Sequence, residues 1–288
     1  MKYCEAIFAN LIPDFLSPAY SWYSPWMHIS QIREDLLQEQ QDLDAIVADL
    51  PDGQWQLPTP SPRWNVADQI AHLTYFDIAA VIAITDPEAF QGLANELLEI
   101  HDGSAADDYS LLKYREMSPR ELLSTWRKGR TDLAAAAKDL GDKDRVIWYG
   151  PSMGSKSFLT ARLMEVWAHG QDIVDTVGAK RIPTNRLRHI AQLGYITRSW
   201  SYINRGLNPV EESIFVTLIS PSGEKWEFGS EKNLNRISGT ALDFCLVVTQ
   251  RRHVGDTDLS VTGEAATEWL SIAQAFAGPA TDGPQETK

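Results

Sequence analysis

The stretch WNVADQIAHLTYFDIAAVIAI, Trp64 to Ile84, constrains this chain more than any other. Asn65 can cap a helix, and Asp68 can answer it as the second half of a capping box. From Val66 to Ile84 that helix is apolar almost all the way round, so it must be buried among other elements. Three more segments carry a helical period that can surround it. His28 to Leu50 presents Ile29, Ile32, Leu36, Leu37, Leu43, Ile46, Val47 and Leu50 at that spacing. Ser118-Pro119-Arg120-Glu121 opens a helix bearing Leu122, Leu123, Trp126, Leu133 and Leu140, which stops at Gly141. Another begins between Ser157 and Thr160 and ends at Gly178, which suits the left-handed position after a helix. Four long helices followed by a fifth, Thr184 to Asn204, predict a bundle. Asp86 to Met117 shows little periodicity and reads as a long connection with one short helix, Glu88 to Ile100.

The texture changes after Pro209. SIFVTLIS (Ser213 to Ser220) has strand composition, PSG supplies a turn and EKWEFG reads as the returning strand. A helix over Gly239 to Thr249, a short strand at Asp258 to Val261 and a helix from Gly263 to Phe276 follow. The fold class expected is therefore α+β, a four-helix bundle over 28–205 with a small C-terminal α/β domain over 206–278. Residues 1–27 read as an N-terminal extension of unknown role, and 279–288 as a flexible tail.

Composition narrows the function. A net charge of −13 argues against nucleic acid, whose phosphates call for a basic surface. No run of about 18 apolar residues offers a membrane span. Two cysteines, Cys4 and Cys245, are too few for a disulfide framework and fit a reducing cytoplasm. The expected partner is a small-molecule substrate, with the chain a monomer or homodimer. Cys245 sits in an apolar helix and reads as a core thiol, and His101 as a solvated loop residue.

The candidate site rests on two helices. In the helix that contains MEVWAHGQDIVD (Met164 to Asp175) and ends at Gly178, a turn of about 100° per residue puts Arg162, Glu165, His169, Asp172 and Thr176 in one narrow stripe beside the apolar face. Such a stripe can be a solvated surface or half of a metal site. His72 lies within the apolar helix, with small residues at Ala79 and Ala83; it can be a core histidine or a ligand. Together His72, Glu165 and His169 would make a set of two histidines and one carboxylate. Residues four apart on a helix place their Cβ atoms about 5–6 Å apart, and three donors leave an open position. Asp172 could hold the free ring nitrogen of His169, and Asp68 that of His72.

The order of DQIAHLTYFD and ARLMEVWAHGQD resembles the DinB-like metal-binding bundles. The closer resemblance, from Ile29 to Gly278, is to proteins related to mycothiol-dependent maleylpyruvate isomerase. HIAQLGYITRSWSYINRG, GTALDFCLVVTQRRH and VTGEAATEWLSIAQAFAGP carry it. The resemblance implies a divalent metal, taken as zinc, on His72, Glu165 and His169. It also implies a C-terminal domain at the bundle mouth that contributes an arginine, for which Arg251 and Arg252 both match in position. His253, next in line, could border a cleft between the domains. The N-terminal extension has no counterpart in the family, and the subgroup stands apart from the isomerases themselves.

The function expected is a metal-dependent enzyme. A metal-coordinated small thiol such as mycothiol loses its proton and can add to an electron-poor double bond, giving isomerisation or thiol transfer. Two alternatives use the same donors: a non-catalytic carrier or sensor, and a zinc-hydroxide hydrolase.

Overall fold

The computed structural model describes residues 28–100, 103–149 and 152–287. The N-terminal extension, Cys4 and His101 lie outside them. The chain divides into two compact units at Ala179/Lys180.

In the first unit α1 (Ile29–Val47), α2 (Val66–Thr85), α5 (Pro119–Ala136) and α6 (Ser155–Val177) form the four-helix bundle. Its core is Ile32, Leu36 and Leu43 of α1, Ile70 and Leu73 of α2, Trp126 and Leu133 of α5, and Leu159, Leu163 and Val166 of α6, all buried. Both capping boxes form as predicted, Asn65 with Asp68 and Ser118 with Glu121. Gly178, at φ 66°, ends α6 in the left-handed region. Among the described residues α2 is the one helix with the length and mean hydropathy, 1.2, to cross a membrane; it packs instead against α5 and α6.

The segment expected as a connection holds two helices, α3 (Pro87–Leu98) and α4 (Gly103–Arg115), and both pack on α2. Leu111 and Tyr114 anchor α4 by burial, and two apolar contacts at the end of a helix are too few to show as a period. A small antiparallel hairpin, β1 (Arg145–Val146) and β2 (Met153–Gly154), leads into α6.

The second unit starts earlier than the expected boundary at 205/206. The fifth predicted helix is two, α7 (Leu187–Ile196) and α8 (Arg198–Ile203), separated at Thr197, whose hydroxyl bonds back to Leu193 O at 2.8 Å. Helix α7 packs on α9 (Ala241–Val248), with Gly194 close against Val248, so it belongs to the C-terminal unit. The sheet order is β4-β3-β5-β6, from β3 (Ile214–Ile219), β4 (Lys225–Phe228), β5 (Asn235–Thr240) and β6 (Ser260–Thr262). The β3/β4 hairpin is antiparallel, β3/β5 parallel and β5/β6 antiparallel. Strand β5 was not predicted, because NRISGT has one buried apolar residue, Ile237. Helix α10 (Glu264–Ile272) completes the unit.

The tail expected to be flexible is tied down. Gln250 donates to Thr281 O at 2.9 Å, Gln274 to Pro279 O at 3.1 Å, and Thr287 N donates to the Asp256 carboxylate at 3.0 Å. Bonds of this kind, between side chains and the main chain, are invisible in a terminal position, which is what suggests a tail.

Candidate metal centre

The bundle brings the three expected donors together. His72 reaches from the middle of α2, while Glu165 and His169 project one turn apart from α6. One ligand atom of each lies within 4.8 Å of the others. Both imidazoles turn Nε2 toward the same carboxylate oxygen, Oε2 of Glu165, each at 3.1 Å. The ring centroids of His72 and His169 are 4.3 Å apart. The side chains are mostly buried, with His169 11% and Glu165 20% exposed. From Arg162 to Asp172 the stripe on α6 therefore faces inward and is not a solvated surface, both of those residues being buried, while Thr176 beyond them is half-buried.

Aromatic rings enclose the cluster. Trp64, just ahead of α2, stacks on His169 at 5.7 Å and 21°, and tilts against His72 at 5.0 Å. Phe76, one turn along α2, packs on the other flank of His72 at 4.6 Å. Burial, and then the neighbouring His169, push the His72 ring down to about 4, outweighing the Glu165 carboxylate that favours its charged form. Burial alone would raise the Glu165 carboxyl, but the two imidazoles that face its oxygen, His169 first and then His72, hold it well below its usual range.

The two aspartates expected behind the histidines serve elsewhere. Asp68 takes the Asn65 N–H on one oxygen and Arg115 Nε on the other, at 3.2 and 2.8 Å. Asp172 accepts from Ser61 Oγ at 2.9 Å. The Nδ1 of His169, which Asp172 was expected to hold, lies 2.5 Å from Oε1 of Gln69. Spacing along a helix placed the aspartates near the rings; tertiary partners from the α1–α2 loop and α4 claimed them first. Sequence reasoning does not find Gln69, an amide three residues before His72 that the structure shows fully buried; Asp68 and Asp77 on the same helix are equally polar, so residue type alone does not single it out. Arg162 also has a partner that sequence did not name. It pairs with Asp77 of α2 at 3.0 Å, and both are buried.

In the C-terminal unit, Gln250 turns the chain at the end of α9 with φ 58°. Arg251 and Arg252 follow, their Nη1 atoms on the Thr249 and Arg251 carbonyls at 2.7 Å. His253 caps the next short turn, its Nδ1 accepting from Gly255 N at 3.1 Å. Arg252 and His253 line a small open surface recess together with Leu270 and Pro284.

Fold and cluster together define a class: a helical bundle with an inward-facing His/Glu/His set, followed by a mixed-sheet unit. A family model described as the mycothiol maleylpyruvate isomerase N-terminal domain matches residues 36–174. Two Mycobacterium tuberculosis sequences, uncharacterized proteins MT0041 and Rv0036c, are each 43% identical over 245 residues, spanning 85% of this chain and 95% of theirs. A crystal structure of the mycothiol-dependent maleylpyruvate isomerase superposes with TM-score 0.55 at 15% identity, covering 90% of this chain and 97% of that one. The chain belongs to the mycothiol maleylpyruvate isomerase family.

Proposed function

We propose that this chain is a divalent-metal-dependent enzyme of isomerase or thiol-transferase type, with His72, Glu165 and His169 holding the cation. The observation that carries this reading is the convergence of three donor atoms within 4.8 Å from two helices. The donor set suits zinc, which takes nitrogen and oxygen ligands at about 2.0–2.1 Å. Tetrahedral donors at that distance stand about 3.3 Å apart, close to the 3.1 Å between each imidazole and Glu165. When bound, such a cation supplies the positive charge that favours a deprotonated thiol and polarises an electron-poor double bond.

The residues have distinct tasks. Glu165 stays ionised and offers an oxygen, and His72 stays neutral and offers a lone pair. Trp64 and Phe76 keep bulk water off the rings. Arg251 and Arg252 are the candidates for binding an anionic substrate or thiol, with His253 beside them. The solved relative is described as mycothiol-dependent, so mycothiol is the first thiol to test.

The test loads the purified chain with zinc and supplies mycothiol with maleyl compounds and simple enones. Thiol-dependent isomerisation or adduct formation is expected, and His72→Ala and His169→Ala should each abolish it. Tight ligand binding without turnover across that panel would overturn the enzyme in favour of a carrier.

A further inference from the structure

An imidazole binds a metal only through a nitrogen with a free lone pair, so the neutral ring must keep its hydrogen on the other nitrogen. For His169 that other nitrogen is Nδ1, which faces Gln69 Oε1 at 2.5 Å. An amide can present either its oxygen or its NH2 group, and the two orientations would demand opposite tautomers of the ring.

The next bonds choose between them. Gln69 Nε2 is 2.8 Å from Thr59 Oγ1, and Thr59 Oγ1 is 3.0 Å from the carbonyl oxygen of Trp64. Between a hydroxyl and a carbonyl oxygen, only the hydroxyl can supply the hydrogen. Thr59 therefore turns its lone pairs to Gln69, which must offer NH2 there and oxygen to His169. We propose that Gln69 is the positioning residue that sets the tautomer of His169, in a one-directional chain His169 to Gln69 to Thr59 to Trp64. The hydrogen stays on Nδ1, and Nε2 faces His72 and Glu165.

The placement of the chain supports this role. Gln69 is fully buried on α2, so its amide is shut off from bulk solvent and takes its partners from the protein. The Trp64 carbonyl that ends the chain belongs to the residue whose indole stacks on His169. The loop ahead of α2 therefore holds the ring by its face directly and by its edge through Gln69. The partner is also a neutral amide, where metal-bound histidines often have a carboxylate, so it orients the ring without adding negative charge.

The metal-binding half of this inference rests on the function proposed above; the tautomer half does not. Long-range 15N–1H spectra of the metal-free full-length chain should show a hydrogen on Nδ1 of His169. A bare Nδ1 would overturn the proposal whether or not the protein ever binds zinc. In zinc competition against a chromophoric chelator, Gln69→Leu should weaken binding roughly 10–100-fold. Gln69→Glu, which restores an acceptor, should recover it. Thr59→Val, which lets the amide rotate while keeping its bulk, should give an intermediate loss at an unchanged melting temperature. Wild-type zinc affinity in Gln69→Leu would overturn the role, as would equal loss in the Leu and Glu variants, which is the mark of packing alone.

Discussion

Asp77 and Arg162 show how much of this bundle depends on single polar residues. Both are buried, and Gln40 also donates to the Asp77 carboxylate at 3.2 Å. Burial raises the Asp77 carboxyl above its ordinary value, against the pull of Arg162. Replacing the pair with apolar residues can be tolerated, but removing one partner strands a buried charge. Asp77→Ala should therefore cost about 3–5 kcal/mol in urea unfolding, and Asp77→Leu with Arg162→Met should recover part of it. A loss below about 1 kcal/mol, the range of exposed pairs, would show that Arg162 finds water without Asp77. At this scale the sequence showed which side chains converge better than which partners surround them. His72, Glu165 and His169 were legible because an imidazole on a largely apolar helix and an acid–imidazole pair four residues apart are unusual where they stand. Gln69 was not, because an amide acquires a role only when its tertiary partners are known. Asp68 and Asp172 were misassigned for the same reason. Cys245 was read correctly as a core thiol; burial pushes it well above its ordinary range.

At the scale of elements, start and stop signals carried the prediction. The Asn65/Asp68 and Ser118/Glu121 boxes and the left-handed Gly178 fixed three helix ends where the sequence placed them. Ser118 also bonds Glu121 Oε2 through its own hydroxyl, at 2.6 Å. Ser118→Ala should lower stability by about 1 kcal/mol, read from the urea midpoint at unchanged slope; no change would mean water replaces the cap. Elements held by tertiary contact were harder to see. Helix α4 is fastened by Leu111, Tyr114 and the Arg115–Asp68 pair, and β5 by its parallel pairing with β3. Neither has a local pattern strong enough to announce itself. The break at Thr197 was hidden because the apolar period continues through it.

For the whole molecule, the α+β class and the bundle were legible because an apolar helix needs neighbours and four periodic segments supplied them. The boundary was not, since α7 is as amphipathic as the bundle helices and only its packing on α9 assigns it to the second unit. The family relationship adds the fold and the isomerase connection, while the cation itself is the claim on which the proposed activity depends. Calorimetric titration of zinc into the metal-free full-length chain tests it most directly. One zinc per chain should bind the wild type, and His72→Ala, Glu165→Gln and His169→Ala should each abolish or severely weaken that event. Failure of the wild type to take up zinc or another divalent cation, or binding undiminished in all three variants, would contradict the account.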